Sequence, residues 1–441
     1  MKINSKDILN RYQGFTGLEK FWQSGNKRVS VTGNSGAVMP VMVASGFDTW
    51  KHSVLVIVQD EDEALQFQSD LRNLLPEQTI LFFPSSLKKD YNGYSSDSTN
   101  KVLRTETLNQ LVKTRATIIV ATAEGFAEKV VAQRNLEKNT FIISENQMLD
   151  IEKLFCFLEE NDFERTDFVY EPGEFAVRGG IIDVFPFNTE LPFRVSIDDD
   201  RVVGLRIFEL DTQISKAEVD SISIIPDFKN EANAFSSLLT YLPKDSRVFL
   251  RQASFLAELS AEMQEKLTDE NQKFVHFSTT EEMLRGLQDF TIVEFGGSPL
   301  FQNHEVIELK TEEPPKFSKD LSLINDYLYR LYSNGYQFVF CADNQKQYDR
   351  FLKIVNDNQP EIPLSFFNGS LSKGFTDHLQ RLCFLTDHEV FSRYHKPLMP
   401  NIKRQQSEHL LQDLKLLKPG DYLVHVDYGI GRFAGLEKVD N

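Results

Sequence analysis

Continuous apolar runs alternate with stretches of helical period in the first part of the chain. The runs 52–60 (HSVLVIVQD) and 116–122 (ATIIVAT) are almost uninterrupted, which is typical of strands buried on both faces of a parallel sheet. Between them, 60–75 (DEDEALQFQSDLRNLL) places its apolar residues at helical spacing. Strands that alternate with helices predict a parallel α/β domain, which we expect over residues 1–145.

The pattern changes near residue 146 and changes back near residue 226. Short runs of apolar residues, separated by turn residues, predict a small inserted α+β domain over 146–226. The buried-strand pattern then resumes, so 227–312 is expected to complete the first domain. A second small α/β domain is predicted at 318–395 and a polar, proline-punctuated linker at 396–413. We expect 414–441 to begin a β-barrel-like domain that continues beyond the chain.

Composition limits the classes of function. The 441 residues carry a net charge of -17, which argues against a general grip on duplex DNA and favours protein partners. The three cysteines lie far apart and form no CxxC pair, so we expect thiols in a reducing compartment. No apolar run has the length of a membrane helix, and the N-terminus lacks a signal-peptide core. These features predict a cytoplasmic protein without membrane contact.

A small-residue turn at 31–40 (VTGNSGAVMP) stands where a nucleotide-driven motor carries its phosphate-binding loop. Such a loop needs glycines, a lysine for the β- and γ-phosphates, and a hydroxyl for Mg²⁺. The matching positions lack the lysine; they hold Ser30, Ser35, Gly36 and Ala37, with Gly33 supporting the turn. We therefore expect no tight ATP binding and no cofactor here. An ordinary strand-to-helix turn is the interpretation that the residues favour, and a degenerate phosphate loop kept as a scaffold is the alternative.

Two acidic stretches invite interpretation as metal sites, and each has a simpler explanation. The acids that begin 60–75 follow a buried strand, as Mg²⁺-binding acids do in motors, but capping of a helix explains them without a metal. The stretch 196–203 (SIDDDRVV) lacks the spacing of a calcium loop and predicts a charged hairpin turn. We predict no metal ligand and no catalytic residue.

Two arginines stand on neighbouring predicted strands of 170–198 (YEPGEFAVRGGIIDVFPFNTELPFRVSID). Side by side, the guanidinium groups of Arg178 and Arg194 would suit planar pairing with carboxylates of a partner protein. The alternative is two solvated arginines on the surface of a small sheet, and composition alone favours that alternative.

The stretches PGEFAVRGG, IIDVFPF and PFRVSID resemble a signature of the bacterial transcription-repair coupling factor (Mfd) family. The segments 205–215 (LRIFELDTQIS) and 417–437 (LKPGDYLVHVDYGIGRFAGLE) resemble two further signatures of that family, in the same order. The resemblance implies a UvrB-like region without ATPase function, an inserted domain that binds UvrA, and the start of an RNA-polymerase-interacting domain.

The resemblance also implies roles for single residues. Arg178 and Arg194 match the family's UvrA-contacting arginines. Ile197 and Asp198 stand where the family often has two aromatic residues, so an acid here replaces an expected hydrophobic contact. We take these four residues as the predicted UvrA-binding set.

The function implied is transcription-coupled DNA repair. The full protein would be an ATP-dependent double-stranded-DNA translocase that releases stalled RNA polymerase at lesions and recruits UvrA for nucleotide excision repair. This chain would be its non-catalytic scaffold and would contact the polymerase β subunit through the domain beginning near residue 414. ATP, Mg²⁺ and DNA would bind motor domains outside the chain. The alternatives are an active UvrB-type helicase for damage verification, which micromolar ATP affinity would favour, and an interaction module unrelated to repair.

Overall fold

A computed structural model of the chain contains two compact units, residues 1–140 with 227–398 and residues 141–226 with 399–441. The structure describes residues 2–12, 16–90, 93–114, 116–133, 140–186, 189, 191–210, 213–225, 235–256, 258–259, 276–302, 304–317, 320–356, 362–393, 397, 422–425 and 429–432.

A seven-stranded sheet, parallel at every pairing, organises the first unit. From edge to edge its strands are Glu305–Glu308, Arg28–Thr32, Thr291–Phe295, Arg247–Arg251, Val54–Val58, Ile118–Thr122 and Ile80–Phe83. Strands that precede the inserted domain in sequence therefore share one sheet with strands that follow it. The apolar runs that predicted buried strands, at Val54–Val58 and Ile118–Thr122, are buried along their whole length.

Helices accompany the parallel strands of this sheet. They are Ser5–Arg11, Thr16–Gln23, Val38–Trp50, Glu61–Leu74, Ser98–Lys113, Ala123–Ala127 and Thr280–Leu287, with a 3-10 turn at Leu238–Tyr241. Two short antiparallel ladders accompany them, Leu87–Asp90 with Gly93–Ser96 and Val130–Val131 with Phe235–Ser236. The fold class predicted from the sequence, a mixed α/β protein with a parallel sheet, is confirmed.

A second, mixed sheet of six strands completes the first unit. Its order is Lys2–Ile3, Leu364–Asn368, Gln337–Ala342, Leu382–Thr386, Phe375–Asp377 and Thr311–Glu312. The helices Leu321–Ser333, Gln345–Asn356 and Asp387–Val390 accompany it. The sheet thus includes two-residue strands at Lys2–Ile3 and Thr311–Glu312, outside the predicted domain 318–395. The sequence did not indicate them, because strands so short leave no apolar run.

The second unit contains a six-stranded sheet. Its strands, in spatial and chain order, are Glu164–Arg165, Glu174–Arg178, Ile181–Val184, Phe193–Asp198, Arg201–Phe208 and Ser215–Glu218. All pairings are antiparallel except the first. The helix Ile151–Glu160 precedes the sheet in the chain. The strand Phe141–Ser144, before this helix, pairs with Ser221–Ile224, which follows the last strand of the sheet. This ladder brings residues before 146 into the unit.

The C-terminal segment is described at two strands, Tyr422–His425 and Gly429–Arg432, which form an antiparallel hairpin. The rest of the predicted domain 414–441, and the predicted linker 396–413 apart from Pro397, lie outside the described residues. Among the helices that the structure describes, none combines the length and the apolar character that crossing a bilayer requires.

Candidate functional site

The glycine-containing turn joins the strand Arg28–Thr32 to the helix Val38–Trp50. Gly33 and Gly36 hold positive φ angles of 68° and 59°, a region that residues with a side chain adopt only with strain. Ser30 on the strand and Ala37 at the start of the helix are both buried. Between them, Gly33 is exposed and Ser35 and Gly36 are half-buried.

The polar groups of this turn bind a neighbouring segment of the same unit. The Ser35 amide donates to Oγ1 of Thr311 over 2.9 Å, and that hydroxyl donates to the carbonyl of Gly33 over 2.8 Å. The amide of Thr311 donates to the same carbonyl over 3.2 Å. The amide of Ser35, which a phosphate-binding loop would direct at its ligand, is thus bonded inside the protein.

Backbone also lies directly against both glycines. A methyl group built on Gly33 would overlap the carbonyl oxygen of Leu309, and one built on Gly36 would overlap that of Gly374. Close approach of backbone to backbone is one of the situations that only glycine permits. The fold therefore requires these glycines for its own packing, independently of any nucleotide.

The acidic stretches adopt the simpler structures that were predicted for them. Asp60 caps the helix Glu61–Leu74, and its Oδ1 accepts from the amide of Glu63 over 2.9 Å. Asp199 and Asp200 form the hairpin turn after Phe193–Asp198, with φ of 45° and 60°. In the part of the chain that the structure describes, no cluster of three or more His, Cys, Asp or Glu side chains is placed to hold a metal ion.

The antiparallel sheet of the second unit places the two predicted arginines on one face. Asp183, on the strand Ile181–Val184, pairs with Arg194 of the following strand and with Ala176 of the preceding strand. Arg178 is two residues beyond Ala176, and side chains two apart on a strand share a face. The opposite face carries buried apolar residues, which include Phe175, Ile182, Val184, Phe193 and Val195.

Asp183 binds both arginines. Its Oδ1 accepts from Nε of Arg194 over 2.8 Å, and its Oδ2 accepts from Nη2 of Arg194 over 2.9 Å. Nη2 of Arg178 donates to the same Oδ2. Hydrogen bonding to Asp183 raises the pKa of Arg194. Two guanidinium groups share one carboxylate, so this cluster retains an excess of one positive charge.

Aromatic rings support each guanidinium group. The Arg178 guanidinium carbon lies 4.5 Å from the ring centroid of Phe168, and that of Arg194 lies 4.3 Å from the ring of Phe208. These distances are within the range of cation–π attraction. The exposure of the three charged side chains differs: 36% for Arg178, 18% for Arg194 and 1% for Asp183.

Ile197 and Asp198 lie at the hairpin end of the strand that carries Arg194. The register shifts between Ser196 and Ile197, so that Ile197 pairs with Val202 and Asp198 with Arg201. Ile197 is half-buried and Asp198 is exposed. The structure therefore brings Arg178 and Arg194 together on one carboxylate. Along the strand, the Cα atom of Asp198 lies four residues from that of Arg194, about 13 Å away.

Sequence reasoning missed Asp183. The signal was present, because the period of two along 181–184 (IIDV) interrupts an apolar strand with one acid. What the sequence did not reveal was the register, which sets Asp183 directly opposite Arg194. The supporting ring of Phe168 was missed as well, since it comes from the loop before Glu174–Arg178.

Two family models match parts of the chain. The UvrB interaction domain matches residues 141–229, which cover the antiparallel sheet and the two arginines. The CarD-like/TRCF RID domain matches residues 417–441, which include the C-terminal hairpin.

Curated proteins match over nearly the whole chain. A transcription-repair-coupling factor of Bacillus subtilis (strain 168) is 20% identical over 99% of this chain and 44% of its own length. Those of Staphylococcus aureus (strain MSSA476) and Staphylococcus haemolyticus (strain JCSC1435) are 20% and 19% identical over 94% of this chain, covering 43% and 42% of their own lengths. The chain thus spans less than half the length of these relatives, and the resemblance predicted from its sequence is confirmed.

Proposed function

We propose that this chain is the non-catalytic recruitment scaffold of a transcription-repair coupling factor and that its antiparallel sheet docks UvrA. The observation that carries the proposal is the polar face of the UvrB interaction domain, where Arg178 and Arg194 converge on Asp183. The cluster retains positive charge and one partly exposed arginine side chain, which suits an acidic surface of a protein partner.

The glycine-containing turn supports a scaffold role for the parallel sheet. Its amide at Ser35 is bonded to Thr311, and backbone packs against Gly33 and Gly36. In this proposal ATP, Mg²⁺ and double-stranded DNA are bound by motor domains of the whole protein that lie outside this chain.

The C-terminal segment is proposed as the beginning of an RNA polymerase contact, directed at the β subunit. The match of 417–441 to the CarD-like/TRCF RID domain supports this assignment. Residues from about 414 onward would carry this contact, so UvrA binding and polymerase binding should be separable by deleting them.

Binding of the chain to purified UvrA, measured by calorimetry or interferometry, tests the proposal. Reversing both charges with Arg178→Glu and Arg194→Glu should abolish binding, because the partner's carboxylates would then meet carboxylates. Arg285→Glu is the matched control, since Arg285 is an exposed arginine on a helix of the other unit. Circular dichroism shows whether each variant is folded. Unchanged affinity in the folded double variant would refute the site.

A further inference from the structure

We infer that the two arginines have different roles: Arg178 meets the partner's carboxylate, whereas Arg194 and Asp183 position Arg178. The inference rests on the proposed function, because it assigns roles within the docking site for UvrA. In this inference the buried Asp183 contributes to the affinity for UvrA without contacting UvrA.

Arg194 has most of its hydrogen-bonding capacity engaged inside the sheet. A guanidinium offers five N–H donors. Nε and Nη2 of Arg194 form the bidentate pair with Asp183, and Nη1 donates to the carbonyl of Gln213 over 3.2 Å. Nη2 also lies 3.4 Å from Oε1 of Gln213. With a side chain only 18% exposed, Arg194 has little left to offer a partner.

Arg178, in contrast, has few hydrogen bonds within the sheet and a more exposed side chain. Within the described part of the chain its guanidinium makes one hydrogen bond, from Nη2 to Asp183. Its side chain is twice as exposed as that of Arg194, at 36% against 18%. The remaining N–H groups of Arg178 leave an edge of the guanidinium for bidentate pairing with a carboxylate.

Asp183 fixes the direction in which that edge points. Its carboxylate is 1% exposed and is itself oriented by the two bonds from Arg194. The Phe168 ring holds the other side of the Arg178 guanidinium. A side chain held in this way loses less conformational freedom on binding, and such preorganisation contributes to affinity.

The neighbours of Arg178 define the chemistry of the partner element. The ring of Phe168 lies against the Arg178 guanidinium, and Ile181 is the cross-strand partner of Arg178. Both are exposed apolar residues. The site therefore fits a segment of UvrA that presents a carboxylate next to an apolar side chain.

The substitution Asp183→Asn tests the positioning role, because positioning and charge predict opposite changes in the affinity for UvrA. It removes a negative charge from the cluster, so attraction to an acidic partner would by itself strengthen binding. We expect the opposite, a loss of affinity for purified UvrA of about tenfold, because an amide cannot orient both guanidinium groups. Affinity equal to or greater than that of the unsubstituted chain overturns the inference.

A double-mutant cycle separates positioning from general damage to the sheet. Asp183→Asn should cost about tenfold in the unsubstituted chain and less than about twofold when Arg178→Gln is already present, since coupled residues are non-additive. Arg194→Lys, which keeps the charge but not the planar fork, should behave in the same way. Equal losses in both backgrounds would mean that Asp183 and Arg194 act without Arg178.

A measurement without UvrA distinguishes failure of the inference from failure of the proposed function. In NMR spectra of the arginine side chains, the Nε–H of Arg194 should exchange slowly with water and that of Arg178 rapidly. The Asp183→Asn substitution should accelerate exchange at Arg194. Equal exchange at the two arginines refutes the division of roles, whereas the expected exchange without any UvrA binding would refute the docking proposal alone.

Discussion

The turn at 33–37 and the sheet around Arg178 both offer glycines and polar groups that could serve a ligand, and they use them in opposite ways. In the turn, the amide of Ser35 is bonded to Thr311, and a backbone carbonyl lies where a side chain on either glycine would begin. In the sheet, Gly179 follows Arg178 with nothing within 4 Å of the position where its side chain would begin. In one region the donor and the space beside the glycines are taken up by the same unit, whereas in the other the Arg178 side chain stays 36% exposed.

This difference teaches that residue types alone do not identify a binding site. What decides is whether tertiary contacts have already satisfied the donors and filled the space around them, because a satisfied, enclosed group gains nothing from a ligand. Three sets of variants probe this contrast.

Gly36→Ala and Gly179→Ala compare the two regions at nearly the same φ angle. The φ angles are 59° and 58°, so the conformational cost of a side chain is about the same, roughly 1–2 kcal/mol. Only the alanine at 36 would also overlap a backbone carbonyl, that of Gly374. We expect Gly36→Ala to lower the free energy of unfolding of its unit by at least about 3 kcal/mol.

The two units can be followed separately in this experiment. Trp22 and Trp50, the two tryptophans of the chain, both lie in the first unit, so their fluorescence during urea unfolding reports that unit. Circular dichroism follows Gly179→Ala, which should cost no more than about 2 kcal/mol. Similar losses for the two variants would contradict the close contact between Gly36 and the carbonyl of Gly374.

Asp70→Asn tests the segment that lies against Gly36. The buried Asp70 carboxylate accepts from the amide and the hydroxyl of Ser372, each over 2.6 Å, two residues before Gly374. Burial raises the pKa of Asp70 from 3.8 to about 7. The folded chain therefore holds this proton more tightly than the unfolded chain, and the resulting stability is complete below about pH 4 and lost as the pH rises through about 7.

The asparagine does not titrate, so the variant should gain stability relative to the original chain between pH 4 and pH 8, by up to about 4 kcal/mol. Unfolding followed by tryptophan fluorescence at a series of pH values measures the difference. Asp62→Asn, on the exposed side of the same helix, is the matched control variant. A difference that stays constant across this pH range would show that Asp70 is not the titrating group.

Thr311→Val should have the smallest of these effects. It leaves the amide of Ser35 and the carbonyl of Gly33 without the hydroxyl that joins them, at a cost of about 1–2 kcal/mol. Thr311→Ser keeps the hydroxyl and serves as the control. A valine variant as stable as the serine variant, in the same urea titration, would show that the hydroxyl does not hold the turn.

Much of the fold was accessible from the sequence. The continuous runs at 52–60 and 116–122 indicated buried parallel strands because both faces of such strands are covered and no polar alternation is needed. The acids after Val58 indicated a capped helix for a local reason, since the Asp60 side chain bonds an amide only three residues away. Short-range rules of this kind also anticipated the charged hairpin at 199–200.

The sequence by itself thus predicted the alternation of the longer strands and helices, the fold class, the resemblance and the pair Arg178 and Arg194. Tertiary structure alone decided that Asp183 lies opposite Arg194, that Arg178 is the more exposed arginine, and that Thr311 bonds the turn at Ser35. The physical reason is distance along the chain. Strand register and the contacts of residues 276 positions apart depend on how whole elements pack, and no local pattern encodes them.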